Sequence, residues 1–345
     1  MPGHDIIVIG ASAGGVEAMT RLINPLPVDL PAALFVVLHI PAQSPSLLPN
    51  ILTRAGRLPA IHPEDGEHIK QGRIYVAPPD RHLLLERERV RVVRGPKENR
   101  HRPAIDPLFR SAARTYGPRV IGVVLTGSLD DGTAGLLAIK RRGGLAIVQD
   151  PRGALYPSMP SSALEHVQVD YTLSVDKIGP MLVQLAQQQV EEPALLAGLE
   201  EMELETKMAE FDPNTLQSEQ RAGTPSVFSC PECGGVLWEL HDGDLLRFRC
   251  RVGHAFSVDS IISAQAEQVE DALWEALKTL QETATLARRM AAQARKRGQN
   301  YLARAFERRE ENANQRSAVI QRVLQREKPE SIDDVNGDDV ANQTS

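Results

Sequence analysis

Three groups of residues in this 345-residue sequence are of types and spacings that could do chemistry. The first is Ser12, in the turn Gly10-Ala11-Ser12-Ala13-Gly14 that closes the apolar run DIIVIG. A G-x-S-x-G turn between a strand and a helix lifts a serine hydroxyl out at the carboxyl edge of a sheet, where a base can activate it. The second group is His39, which closes LFVVLH, with Asp130 and Asp131, which follow RVIGVVLTGSL. A hydroxyl, an imidazole and a carboxylate meeting from three strand ends would supply nucleophile, general base and orienting acid. The third is Cys230-x2-Cys233 followed by Cys250-x3-His254. Three thiolates and one imidazole suit tetrahedral zinc, and four protein ligands leave no open position, so such a site is structural.

Each residue also has a plainer role. Ser12 suits the cap of a following helix, His39 a hydrogen-bonded loop, and Asp131 before Gly132 the cap of GTAGLLAIKRR. A nucleotide cradle would need G-x-G-x-x-G here and an acidic residue about 20 positions later. Ser12 stands in place of the second glycine and His39 where the acid belongs, which argues against nicotinamide-dependent redox chemistry. The chain order Ser, His, Asp also departs from the Ser, Asp, His order of α/β-hydrolases.

The elements that must position these groups follow from the apolar patterning. DIIVIG, AALFVVLHI, GRIYVAP, ERVRVVRG, RVIGVVLTG and LAIVQD alternate with helical patterns, which predicts an α/β, doubly wound, mostly parallel sheet over residues 1–187. Within it, GRIYVAPPDRHLLLERERVRVVRG reads as neighbouring strands joined by a turn, a local antiparallel pair. Residues 188–224 are rich in Glu and Gln and read as an acidic linker with a short helix. A compact ribbon-like module is expected at 225–257, with Trp238 and Phe248 as its small core. Val269, Leu273, Leu277 and Leu280 recur at helical spacing, and Gly298 interrupts the pattern, so 258–327 reads as a helical hairpin or coiled coil. The polar, acidic residues 328–345 read as disordered.

A formal net charge of −6 argues against general nucleic-acid binding, which needs a positive field. The start carries no basic and apolar leader, and no apolar run approaches the roughly 20 residues that cross a bilayer, so a cytoplasmic protein without membrane insertion is expected. Three cysteines clustered in one stretch, an odd number, point to metal ligation over a disulfide framework.

GASAGG, His39 in VVLHI, GRIYVAPPDRHLLL, RPAIDPLFRSAA and LTGSLDDGTAGLLAIKRRGGLAIVQDP together resemble the catalytic domain of the chemotaxis protein-glutamate methylesterases, the CheB family. The resemblance spans about residues 4–187. It implies a Rossmann-like domain that hydrolyses glutamate methyl esters on chemoreceptor helices, releases methanol, deamidates receptor glutamines in some members, and needs no cofactor for catalysis. It further implies Ser12 as nucleophile, His39 as base and Asp131, the residue before Gly132, as orienting acid, with backbone amides at Ala13 and Ser128 in the oxyanion hole. Ser128 replaces the family's usual methionine and Ala13 a common threonine.

The first strand begins near residue 5, so the expectation is a catalytic domain without a preceding receiver domain. Control would then rest with an unknown regulatory protein or with self-association through the helical tail. Arg100, Arg102, Arg110, Arg114 and Arg119 suggest either a cationic rim that attracts acidic receptor helices or an ordinary solvated face. A rival from another class is a catalytically silent signalling adaptor that binds partners through the zinc ribbon and tail.

Overall fold

The computed structural model describes residues 3–190, 200–210, 212, 215 and 223–326. Its centre is a seven-stranded sheet made of β1 (Ile6–Ala11), β2 (Ala33–Leu38), β3 (Ala60–Ile61), β4 (Ile74–Val76), β7 (Val120–Val124), β8 (Leu145–Gln149) and β9 (Tyr171–Leu173). The strand order is β3-β4-β2-β1-β7-β8-β9, and every neighbouring pair is parallel. β1, β2 and β7 are buried along their whole length, as strands covered on both faces must be.

Helices α1 (Gly15–Ile23), α2 (Leu48–Ala55) and α6 (Val175–Ala186) contribute Met19, Leu22, Leu52, Ile178 and Leu182 to the core on one face. On the other face α3 (Ile105–Tyr116), α4 (Thr133–Arg141) and α5 (Ser158–His166) contribute Leu108, Phe109, Leu136, Ile139 and Met159. The chain winds outward from β1 through β2 and β4, then returns to the other side of β1 through β7, β8 and β9. The switch point therefore lies between β1 and β7, and crevices at such points receive ligands in open α/β sheets.

The antiparallel pair expected near residue 85 is β5 (His82–Glu86) with β6 (Arg89–Val93), which stands apart from the large sheet and lays Leu83, Leu85 and Val90 on α3. A second, four-stranded antiparallel sheet runs β10 (Thr224–Ser229), β11 (Val236–Asp242), β12 (Leu245–Cys250) and β13 (Ala255–Ser257). Its core is Leu237, Phe248 and Phe256 with Cys230, Cys250 and Ile261. Phe248 takes the expected inward place. Trp238 does not: side chains alternate along β11, so the burial of Leu237 turns Trp238 to the other, half-exposed face.

Inside the stretch read as an acidic linker, α7 (Glu200–Ala209) packs near α3 and buries Glu205 to 4% exposure. The acidic character that suggested a linker instead serves ion pairs with buried arginines. The chain divides into the compact units Met1–Ile261 and Ile262–Ser345. Helix α8 (Val258–Lys296), which lies in the second from Ile262 onward, turns at Gly298, whose φ is +72°, into α9 (Asn300–Arg326). Ala284, Ala287, Ala291, Ala303 and Ala313 are buried in this hairpin, and Arg288 pairs with Glu310 at 2.7 Å. The tail expected to be disordered lies outside the described residues. No described helix is long and apolar enough to cross a membrane.

Candidate active site

Ser12, His39 and the segment Gly127–Asp131 follow β1, β2 and β7, the three adjacent central strands, and so meet above the switch point. Ser12 Oγ lies 3.1 Å from His39 Nδ1, and His39 Nε2 lies 2.7 Å from Asp131 Oδ2. With Asp131 ionised, the imidazole keeps its proton on Nε2 and donates it to the carboxylate. Nδ1 is then free to accept from the Ser12 hydroxyl.

The plainer roles do not hold. Helix α1 has Gly14 at its cap, with φ +73° and no side-chain cap, so the Ser12 hydroxyl is not spent on the helix. At α4 the cap residue is Gly132 with φ +99°, and the amides of Gly132 and Gly135 donate to Asp106 Oδ1 at 3.1 and 2.7 Å. Asp106 does the work that the sequence offered to Asp131. The two adjacent aspartates are thereby separated: Asp131 faces His39, whereas Asp130 accepts from Ser257 Oγ at 2.6 Å.

Close approach at the turn depends on Gly127. A Cβ there would lie 2.0 Å from Met159 Sδ and 2.9 Å from Ser12 Cβ. The Ser12 amide donates to the Thr126 carbonyl at 3.0 Å and the Gly127 amide to Tyr156 at 3.0 Å, which ties the loops together. The amides of Ala13 and Ser128, the two named as oxyanion donors, give no hydrogen bond to a backbone carbonyl among the described residues.

Asp131 is buried, yet it is held well below the usual carboxylate range. Its desolvation is outweighed by the His39 hydrogen bond and charge, the Ile105 amide at 2.7 Å and the Asn99 side-chain amide at 2.9 Å. Asp106, buried beside it, is pushed up by desolvation and then by the Asp131 charge. His101 stacks on His39 with ring centroids 3.6 Å apart and an interplanar angle of 11°. Burial, and next the His39 charge, depress His101 to about 3, so its ring is a neutral wall behind the imidazole.

Asn99, His101 and Asp106 are not singled out by the sequence, and one local signal marks only the turn that holds the first two. Asn99 and Arg100 form a two-residue turn with φ +48° and +70°, closed by the bonds Glu98 N–H to His101 O at 3.2 Å and His101 N–H to Glu98 O at 2.9 Å. Asn at a positive-φ hairpin position is a readable turn signal. Four of the five arginines of the expected rim are held in ion pairs with carboxylates. Arg110 pairs with Glu98 at 2.7 Å, Arg114 with Glu203 at 3.0 Å, Arg119 with Asp5 at 2.7 Å and Arg102 with Asp80 at 2.5 Å.

Comparison with known proteins identifies the domain that carries this arrangement. The family model described as CheB methylesterase matches residues 7–182, half of the chain. The chain belongs to the CheB methylesterase family. A protein of Leptospira interrogans serovar copenhageni named "Putative protein-glutamate methylesterase/protein-glutamine glutaminase" is 42% identical over 190 residues, 55% of this chain and 98% of that one. The protein-glutamate methylesterase/protein-glutamine glutaminase of Photorhabdus laumondii is 37% identical over 187 residues, 53% of each chain. The crystal structure of the Thermotoga maritima CheB methylesterase catalytic domain has 35% identity, a TM-score of 0.51 and coverage of 54% of this chain and 100% of that one. The doubly wound fold read from the sequence is thus that of a CheB domain.

Beyond the CheB match, the ligating atoms of Cys230, Cys233, Cys250 and His254 all lie within 4.8 Å of one another. Cys233 and Cys250 sulfurs are 3.7 Å apart, and His254 Nδ1 is 3.7 Å from Cys230 Sγ and 3.6 Å from Cys250 Sγ. A tetrahedron with metal–sulfur bonds of about 2.3 Å has edges of about 3.8 Å, so the donor set fits one ion. A disulfide, near 2.0 Å, does not match these separations.

Proposed function

We propose that the chain is a serine hydrolase that demethylates glutamate methyl esters, with Ser12 as nucleophile, His39 as base and Asp131 as orienting acid. One observation carries this reading: the continuous hydrogen-bonded line from Ser12 Oγ through both His39 nitrogens to Asp131. His39 Nδ1 takes the hydroxyl proton as Ser12 attacks the ester carbonyl. The tetrahedral oxyanion is met by the amides of Ala13 and Ser128, each such donor typically contributing about 3 kcal/mol. His39 then protonates the departing methanol, and water cleaves the acyl-enzyme by the same steps in reverse. Asp131 does not take the proton; it holds the imidazole in the right tautomer and stabilises the imidazolium. No cofactor enters these steps.

The names of the relatives support two substrates, the glutamate methyl ester and the glutamine side-chain amide. Both have an acyl carbon attacked in the same way, with methanol or ammonia leaving. The macromolecule that carries them is a chemoreceptor helix, met in the cytoplasm, and the Cys/His module holds structural zinc. The test is methanol release from a methyl-labelled receptor fragment. The parent should release it and Ser12→Ala should not; equal rates would remove Ser12 from the mechanism, and no release by either would remove the substrate.

A further inference from the structure

The Cys/His module does not stand clear of the hydrolytic site; it is hydrogen-bonded into it. Strand β13, which directly follows the ligand His254, lies parallel to Lys97–Asn99. The Asn99 amide donates to the Ala255 carbonyl at 2.8 Å and the Ala255 amide to the Lys97 carbonyl at 3.2 Å. Gly253, inside the second metal knuckle, has φ +105° and rests on Pro96, where a Cβ would come within 2.8 Å of the proline ring. Lys97 also pairs with Glu232, between the first two cysteines, at 3.0 Å.

The Asn99 side chain joins the two systems. It is 5% exposed and uses all its hydrogen-bonding capacity. Its oxygen accepts from the Ser257 amide at 2.9 Å and from Ser260 Oγ at 3.3 Å. Its nitrogen donates to Asp131 Oδ1 at 2.9 Å and Asp106 Oδ2 at 3.0 Å. The orientation is chemically determined: a flipped amide would set its NH2 against the Ser257 N–H and its oxygen against two carboxylates. Apart from Asn99, Asp131 Oδ1 has, among the described residues, the Asp106 amide at 3.3 Å. The module therefore fixes the amide that fixes the carboxylate that aims His39.

We propose that Asn99 is a positioning residue for Asp131 and that strand β13 of the metal-binding module sets it in place, so that the module is a working part of the hydrolytic site. This rests on Ser12 being the nucleophile. Two different chains of contact would be broken by two different treatments. Asn99→Ala removes the link with the metal site intact. Stripping the metal loosens β13 with Asn99 intact.

The experiment labels Ser12 of the full chain with a serine-reactive fluorophosphonate and records two quantities, the rate constant and the final stoichiometry. Parent protein loaded with Zn2+, the same protein after chelation under reducing conditions, the reloaded protein and Asn99→Ala are compared, with zinc measured in each. Loss of one hydrogen bond to a buried charge predicts labelling about 10- to 100-fold slower in Asn99→Ala and in the stripped protein. Stoichiometry should stay near that of the parent, and reloading should restore the rate. A merely structural role would lower the stoichiometry and leave the rate constant unchanged. Backbone hydrogen exchange across residues 97–101 should quicken on chelation. Where Asn99→Ala does not fold, the stripped parent decides. Equal rate constants in loaded and stripped protein, or unchanged exchange at 97–101, overturn the proposal. A parent that labels nowhere would instead overturn Ser12 as the nucleophile.

Discussion

The two reactive clusters are built in opposite ways. Ser12, His39 and Asp131 are spread over 120 positions, and each is placed by the end of a different parallel strand whose register a buried core fixes. Cys230, Cys233, Cys250 and His254 occupy 25 positions, held by knuckles and a small sheet with a core of six residues. In the first, the scaffold makes the geometry, with Ser12 half-buried above an enclosed His39 and Asp131. In the second, a Cys/His donor set that fits one ion is held by a core too small to fold by burial alone, and an ion bound there would supply the rest and leave no open position. Pre-organisation by a large sheet leaves room for chemistry, whereas organisation by an ion uses that room up.

The sharpest way to break this contrast is to remove the ion. Structural zinc sites contribute on the order of 10 kcal/mol to folding, so chelation should abolish the ordered state of residues 224–257. The seven-stranded sheet should persist, and site-resolved hydrogen exchange would show both results in one measurement. Loss of protection in β1, β2 and β7 together with the module would mean that the large sheet also leans on the metal. The next effect is confined to chemistry. Ser12→Ala should lower methanol release by about 10^6-fold, roughly 8 kcal/mol, with a thermal midpoint within a degree or two of the parent.

The same contrast explains what could be read from the sequence. A parallel strand buried on both faces leaves an uninterrupted β-branched run, and candidate site residues sit where such runs stop, so Ser12, His39 and the pair Asp130–Asp131 are visible as run ends, while the resemblance alone singles out Asp131. Thiolate spacing was visible because metal knuckles are local. What joins the two regions was not visible, since it depends on long-range pairs between polar residues. Nothing local in the sequence marks Arg110, Glu98, Glu205 and Arg249 as buried, and only the fold shows all four to be under 5% exposed. Asn99 was equally hidden, because a turn residue does not announce which side chains it will meet. The short strand β9 was missed for its length, three residues with no buried run.

Those hidden charges are the seam between the clusters, and they should respond to mutation as buried pairs do. Glu205 accepts from Arg247 at 3.0 Å and lies 3.3 Å from Arg110 Nε, while Glu98 accepts from Arg110 and Arg249 at 2.7 and 3.0 Å. Removing one carboxylate leaves guanidinium groups buried without their partner, which typically costs about 3–5 kcal/mol. Glu205→Gln should lower the denaturant midpoint accordingly. A surface variant, Asp176→Asn, which breaks only the exposed Arg21 pair, should cost less than about 1 kcal/mol. Equal losses would show that the seam is no tighter than the surface.

An effect smaller than the loss of a buried carboxylate tests the seam by pH. Asp130 sits under Ser257 Oγ, and burial, with smaller contributions from the Asp259 and Asp131 charges, pushes it up to about 7 against the lowering effect of the Ser257 hydrogen bond. An unfolded aspartate titrates near 3.9, so between about 4 and 7 the folded chain holds a proton that the unfolded chain has lost. The stabilisation this proton represents is complete below about pH 4 and drains away as pH rises through 7. Asp130→Asn removes the titration, so the variant should gain on the parent as pH goes from 5 to 8, by about 2–3 kcal/mol. Thermal midpoints of both proteins at several pH values in that window give the difference directly. Parallel curves would mean that Asp130 is ionised when folded and that Ser257, its donor from β13, already compensates its burial in full.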